Sequence, residues 1–99
     1  MRRHLSYTAV SEAELADRFD AIHAQVRQGA LAREEAVTRY AEAVGAVADN
    51  DNGLHETASR ERIRAEIDAV FAEAGLAPLA ANELEDAPGF FDGAPAPRP

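Results

Sequence analysis

SEAELADRFDAIHAQVRQGALAREEAVTRYAEAVGAVAD, residues 11–49, decides the fold of this chain. Leu15, Phe19, Ile22 and Val26 recur at spacings of four, three and four, which gathers them on one stripe of a helix. Val37, Tyr40, Val44 and Val47 recur at three, four and three, the spacing of a coiled-coil seam. Gly29 ends the first pattern, and only the short stretch GALA separates the two. A connection that short returns the chain antiparallel to itself, so the two stripes belong to a helical hairpin.

The flanks of these stripes carry start signals. Ser11 is a good N-cap, Glu14 completes a capping box, and Val10 with Leu15 fits a hydrophobic staple. Glu34 and Glu35 stand in the first turn of the second helix, where the helix dipole favours acids. Gly45 inside the second pattern costs up to ~1 kcal/mol against alanine, which calls for a packing reason such as the close approach of another helix.

A third helix is expected from Thr57 or Ser59 to Gly75, with Ile63, Ile67, Val70, Phe71 and Ala74 as its stripe. Gly75 is placed as a C′ glycine, Leu76 for the accompanying apolar contact, and Pro78 to prevent continuation. Before the hairpin, LSYTAV alternates in character and reads either as a short strand or as part of an extended arm over residues 1–10. After the third helix, LAPLAANELEDAPGFFDGAPAPRP is rich in proline, glycine and acid, with room for one helical turn between Leu79 and Leu84. The expected architecture is therefore all-α: an N-terminal arm (1–10), a three-helix domain (11–75) and a C-terminal extension or tail (76–99).

Ninety-nine residues make one domain at most. About half of the apolar residues are alanine and tryptophan is absent. A chain of this size buries only ~60–65% of its unfolded surface, which leaves a thin stability margin. Self-association is one remedy, and the seam Val37, Tyr40, Val44 and Val47 is expected to serve a homo-oligomer, most simply a dimer. The chain has no cysteine, so disulfides, zinc-thiolate sites and thiol nucleophiles are excluded. No stretch approaches ~20 apolar residues, and the opening MRRHLSYTAV lacks the apolar run of a signal peptide, so the expected location is cytoplasmic.

The net charge is −8, and all ten basic residues are arginine. Residues 32–57 carry six acids against two arginines, and residues 76–99 carry four against one. Such a chain repels nucleic acid at long range and attracts a basic protein surface. Glu34, Glu35, Glu42, Asp49 and Asp51 form the expected acidic docking face.

ADNDNGLHETAS, residues 48–59, begins like a calcium loop. With Gly53 at the sixth position, however, the first and twelfth positions fall on Ala48 and Ser59, so the first ligand and the bidentate glutamate are missing. The same Asp, Asn and Gly residues suit a helix-to-helix loop, and no metal or cofactor is expected. His4, His23 and His55 have no second histidine at helical spacing, and His23 borders the first stripe as a partly buried helix residue. Arg60, Arg62 and Arg64 fall in the first turns of the third helix, where a recognition helix would present them to DNA. Glu61 and Glu66 are interleaved with them, and Arg62–Glu66 and Arg64–Asp68 have the spacing of ordinary surface pairs. The carboxylates are scattered at surface spacing, and no phosphate loop, nucleophile elbow or zincin helix is present, so an enzyme is not expected.

GFFDG, residues 89–93, sets two adjacent aromatics between glycines in a polar segment. Phe90 and Phe91 either fold back to cap the helices or anchor a partner. The leading expectation is a small non-catalytic adaptor, regulator or inhibitor that binds another protein. The alternatives are a DNA-binding regulator using Arg60, Arg62 and Arg64, and an acidic mimic of nucleic acid that blocks a nucleic-acid-binding complex.

Overall fold

The computed structural model describes residues 2–48 and 56–91, with side chains from residue 13 onward. Four helices follow one another: α1 (Arg2–Arg27), α2 (Arg33–Val47), α3 (Thr57–Glu73) and the single turn α4 (Glu83–Asp86). The all-α class and the three main helices are as the periodicities require. α1 packs against both α2 and α3, and α4 packs against α2.

The start of α1 departs from expectation. The helix begins at Arg2 and passes through Ser11 unbroken, so residues 2–10 are helix rather than an extended arm. A helix extends at the gain of one hydrogen bond per residue once nucleated, and nothing between Arg2 and Ser11 is proline or glycine. Ser11 is thus an interior residue, and Glu14 bonds Arg18 one turn on (2.9 Å) instead of closing a capping box.

α1 and α3 both end on a glycine. Gly29 (φ 75°) donates to the Val26 carbonyl while Ala30 donates to that of Gln25. Gly75 (φ 76°) donates to Ala72 while Leu76 donates to Phe71. These are two Schellman motifs, each satisfying carbonyls that the helix end leaves bare. The first turns the chain back along α1, making the hairpin. The second brings Leu76 onto the core and sends the chain across α2.

The predicted stripes are buried: Leu15, Phe19, Ile22 and Val26 from α1, Val37, Tyr40, Val44 and Val47 from α2, and Ile63, Ile67, Val70 and Phe71 from α3, with Ala74 at the end of the third only half-buried. The seam assigned to a homo-oligomer is therefore used inside the single chain. It faces the chain's own helices and is not left free to hold a dimer. Gly45 is buried on the same helix.

The remaining core comes from the segment after α3. Leu79, Leu84 and Phe90 are buried in the same cluster as the helix stripes. Residues 76–91 are thus a strap across the bundle, not a tail. Its polar anchor is Arg33. The guanidinium bonds both oxygens of Glu83 (2.6 and 2.8 Å) and the carbonyls of Ala77 (3.0 Å) and Pro78 (2.7 Å), and it stands over the Phe71 ring at 5.4 Å. From α3, Asp68 accepts the Leu79 N–H (2.8 Å), and Arg64 donates to the Ala80 carbonyl (3.1 Å) and pairs with Glu85 (3.4 Å). Asn82 takes the left-handed conformation (φ 64°) that lets the strap turn into α4.

Candidate functional site

The strap brings together two features that are far apart in sequence. Gly89 (φ 98°) lies so close to α2 that a Cβ there would sit 2.9 Å from Glu42 Cγ and 3.2 Å from its Cα. The aromatic pair is therefore delivered to the helix that carries the acidic residues. The two rings meet edge to face at 4.8 Å, but their fates differ. Phe90 is wholly buried, while Phe91 is 46% exposed and is the exposed large apolar side chain among the described residues. The assignment of Phe90 to partner binding is corrected accordingly: it is a core residue, because the tight turn at Gly89 drives it between strap and helices.

The acidic face is less uniform than the composition implies. Glu34, Glu35 and Glu42 are exposed. Glu35, Arg39 and Glu42 share one face at helical spacing, and Glu35 pairs with Arg39 at 3.5 Å. Asp49 and Asp51 lie outside the described residues, as do residues 49–55 of the loop that resembles a calcium site. Among the described residues no group of three or more His, Asp or Glu is placed to hold a metal ion.

The arginines of α3 are split between tasks. Arg64 is committed to the strap. Arg60 donates to Thr57 (3.3 Å) one turn back, and its Nε is buried. Arg62 alone stands on the surface with no bonded partner among the described residues. The expected pairs Arg62–Glu66 and Arg64–Asp68 do not form. Glu66 and Asp68 are drawn into tertiary bonds instead, and an arginine placed N-terminal to its acid is the weaker order of such a pair.

Glu66 is taken by His23, which joins three helices. His23 is 5% exposed; its Nδ1 lies 2.6 Å from the Tyr40 hydroxyl and its Nε2 lies 2.8 Å from Glu66. A carboxylate only accepts, so Nε2 carries the hydrogen, and in the neutral ring Nδ1 accepts from the Tyr40 O–H. Burial, with the nearby Glu66 charge, pushes the Tyr40 phenol well above its ordinary value. Phe19 and Phe71 pack their rings against Tyr40 at 4.9 and 6.1 Å, which holds the chain Tyr40–His23–Glu66 in place. The sequence placed no acid beside His23; the fold places one from 43 residues away. The Tyr40 hydroxyl has no exposure through which to meet a substrate.

Two residues that organise the strap, Arg33 and Glu83, carry no motif. Their one signal is that Arg33 opens α2, where the helix dipole disfavours a cation. The Arg33 guanidinium and the Ala80 N–H hold the Glu83 carboxyl at about 2, against an ordinary 4.5.

No family model, curated protein or solved structure matches the chain. Among the described residues no helix is long and apolar enough to cross a membrane.

Proposed function

We propose that this is a small, non-catalytic cytoplasmic protein that works by docking another protein, with Phe91 as the anchor and Glu42 and its neighbours on α2 as the charged flank. The observation that carries this is the split aromatic pair. Phe90 fixes the turn in the core and presents Phe91 at 46% exposure, two residues beyond the contact of Gly89 with Glu42 on α2. A ring held ready loses little entropy on binding, which is why aromatic anchors dominate interface energies. The fitting partner has an apolar pocket with basic residues at its rim. The cysteine-free sequence is compatible with the cytoplasmic part of the reading. The commitment of Arg64 to the strap counts against a DNA-reading role for α3.

The test is a pair of single substitutions. Phe91→Ala lowers the melting temperature of the isolated protein far less than Phe90→Ala does, and it abolishes capture of the host partner by a photo-crosslinker placed on the exposed face of α2. Phe90→Ala lowers stability by ~3–5 kcal/mol, as for a phenylalanine removed from a core. Partner capture that survives Phe91→Ala defeats the proposal.

A further inference from the structure

A cleft of about 170 Å³ opens between α1 and α3, lined by Leu15, Ala16, Phe19, Ser59, Ile63 and the charged pair Arg62 and Glu66. Its floor is apolar, from Leu15, Phe19 and Ile63. A cavity of roughly 150 Å³ is enough to hold a benzene ring, so the space suits one ring or one branched aliphatic group. The two charges at its mouth stand one helical turn apart and would ordinarily neutralise each other. They do not pair here; one Glu66 oxygen is held instead by His23 Nε2 at 2.8 Å. Arg62 is left without an anion among the described residues, and Glu66 is 52% exposed with its other oxygen available. The His23–Tyr40 network anchors the Glu66 carboxylate at the cleft.

We propose that this cleft binds a small apolar amino acid as its zwitterion. The ligand's carboxylate bonds Arg62, its ammonium bonds Glu66, and its side chain lies on Leu15, Phe19 and Ile63. A zwitterion answers both charges and adds none to a chain of net charge −8. Ser59 adds a hydroxyl on the same face of α3. The space is about the size of one side chain, which favours a free amino acid over a peptide.

The experiment is an NMR titration of the full chain with L-leucine and L-phenylalanine, followed on backbone amides. Saturable shifts are expected at Ala16, Ser59, Arg62 and Ile63. Isocaproate and isoamylamine each keep the side chain and one charge, and each binds at least about tenfold more weakly than leucine, since a charge-assisted bond is lost. Arg62→Gln removes an exposed side chain with no bonded partner among the described residues, so helicity is unchanged. In that variant leucine binds no more tightly than isoamylamine. The proposal is overturned by an absence of saturable shifts, by leucine affinity that survives Arg62→Gln, or by isocaproate binding as well as leucine. Tighter binding of an N-blocked peptide ending in leucine overturns it in favour of a protein C-terminus.

Discussion

Tyr40 shows how one side chain ties stability to pH. Its folded phenol titrates above the ordinary 10 because burial opposes the charge. A raised folded value contributes stability that is fully present below the unfolded value and is lost as pH rises beyond about 10. Tyr40→Phe is expected to cost ~1–3 kcal/mol at neutral pH, because His23 Nδ1 loses its donor in a buried place. Above pH 10 the variant has no phenol to ionise, so the two proteins converge. Urea unfolding at a series of pH values checks this, and a constant gap into the alkaline range contradicts it. Gly89 offers a second residue-scale test. Gly75 and Gly89 both have positive φ, but a Cβ at Gly75 meets nothing within 4 Å whereas one at Gly89 meets the α2 backbone. Alanine at Gly75 should cost ~1–2 kcal/mol for the left-handed backbone alone. Alanine at Gly89 should cost clearly more and also lift Phe90 out of the core. Equal losses at the two positions would mean that the strap does not rest on α2.

At the scale of elements, the strap is held to the bundle by a charge that acid removes. Glu83 is depressed to about 2 by its bonds to Arg33 and Ala80. A depressed carboxylate contributes stability above its unfolded value, and that stability is lost as pH falls from about 4.5 to about 2. Glu83→Gln is expected to lose ~1–2 kcal/mol at neutral pH, allowing for solvent screening, and nothing relative to the parent near pH 2. Acid titration of unfolding free energy for both proteins is the measurement, and a pH-independent difference is the contrary result. This element also shows what a sequence can and cannot display. The three helices were legible because stripes and glycine caps are local signals, repeated every three or four residues. The strap was not, because its anchors join Arg33 to residues 44 to 50 positions away and leave no period. The Tyr40–His23–Glu66 chain was hidden for the same reason: its members are 17 and 43 residues apart. The start of α1 was misread because a good N-cap residue is tolerated inside a helix when the residues before it can also be helical.

For the whole molecule, the question is what makes a chain this small and alanine-rich hold together. Self-association through the α2 seam would have been one answer, but the seam is buried within the chain. The strap is the answer that the structure contains. Leu79, Leu84 and Phe90 complete the core, and burying such side chains contributes ~1.5–3 kcal/mol each. The sum is comparable to the entire net stability of a domain of this length, ~5–15 kcal/mol. Ordering the strap costs backbone entropy, which offsets part of that gain. Its removal, however, also bares the helix surface beneath Leu84 and Phe90 and strips Arg33 of four acceptor oxygens. A chain ending at Gly75 keeps all three long helices, and a self-sufficient bundle over 11–75 would unfold within a few degrees of the full protein. The expected outcome is different: the shortened chain loses its cooperative thermal transition while retaining partial helicity, and it binds hydrophobic dyes. Supplying residues 76–91 as a separate peptide should restore part of the transition, since the groove and the Arg33 hook remain to receive it. A shortened chain with an unchanged melting curve would show that the three stripes suffice and that the strap only decorates them.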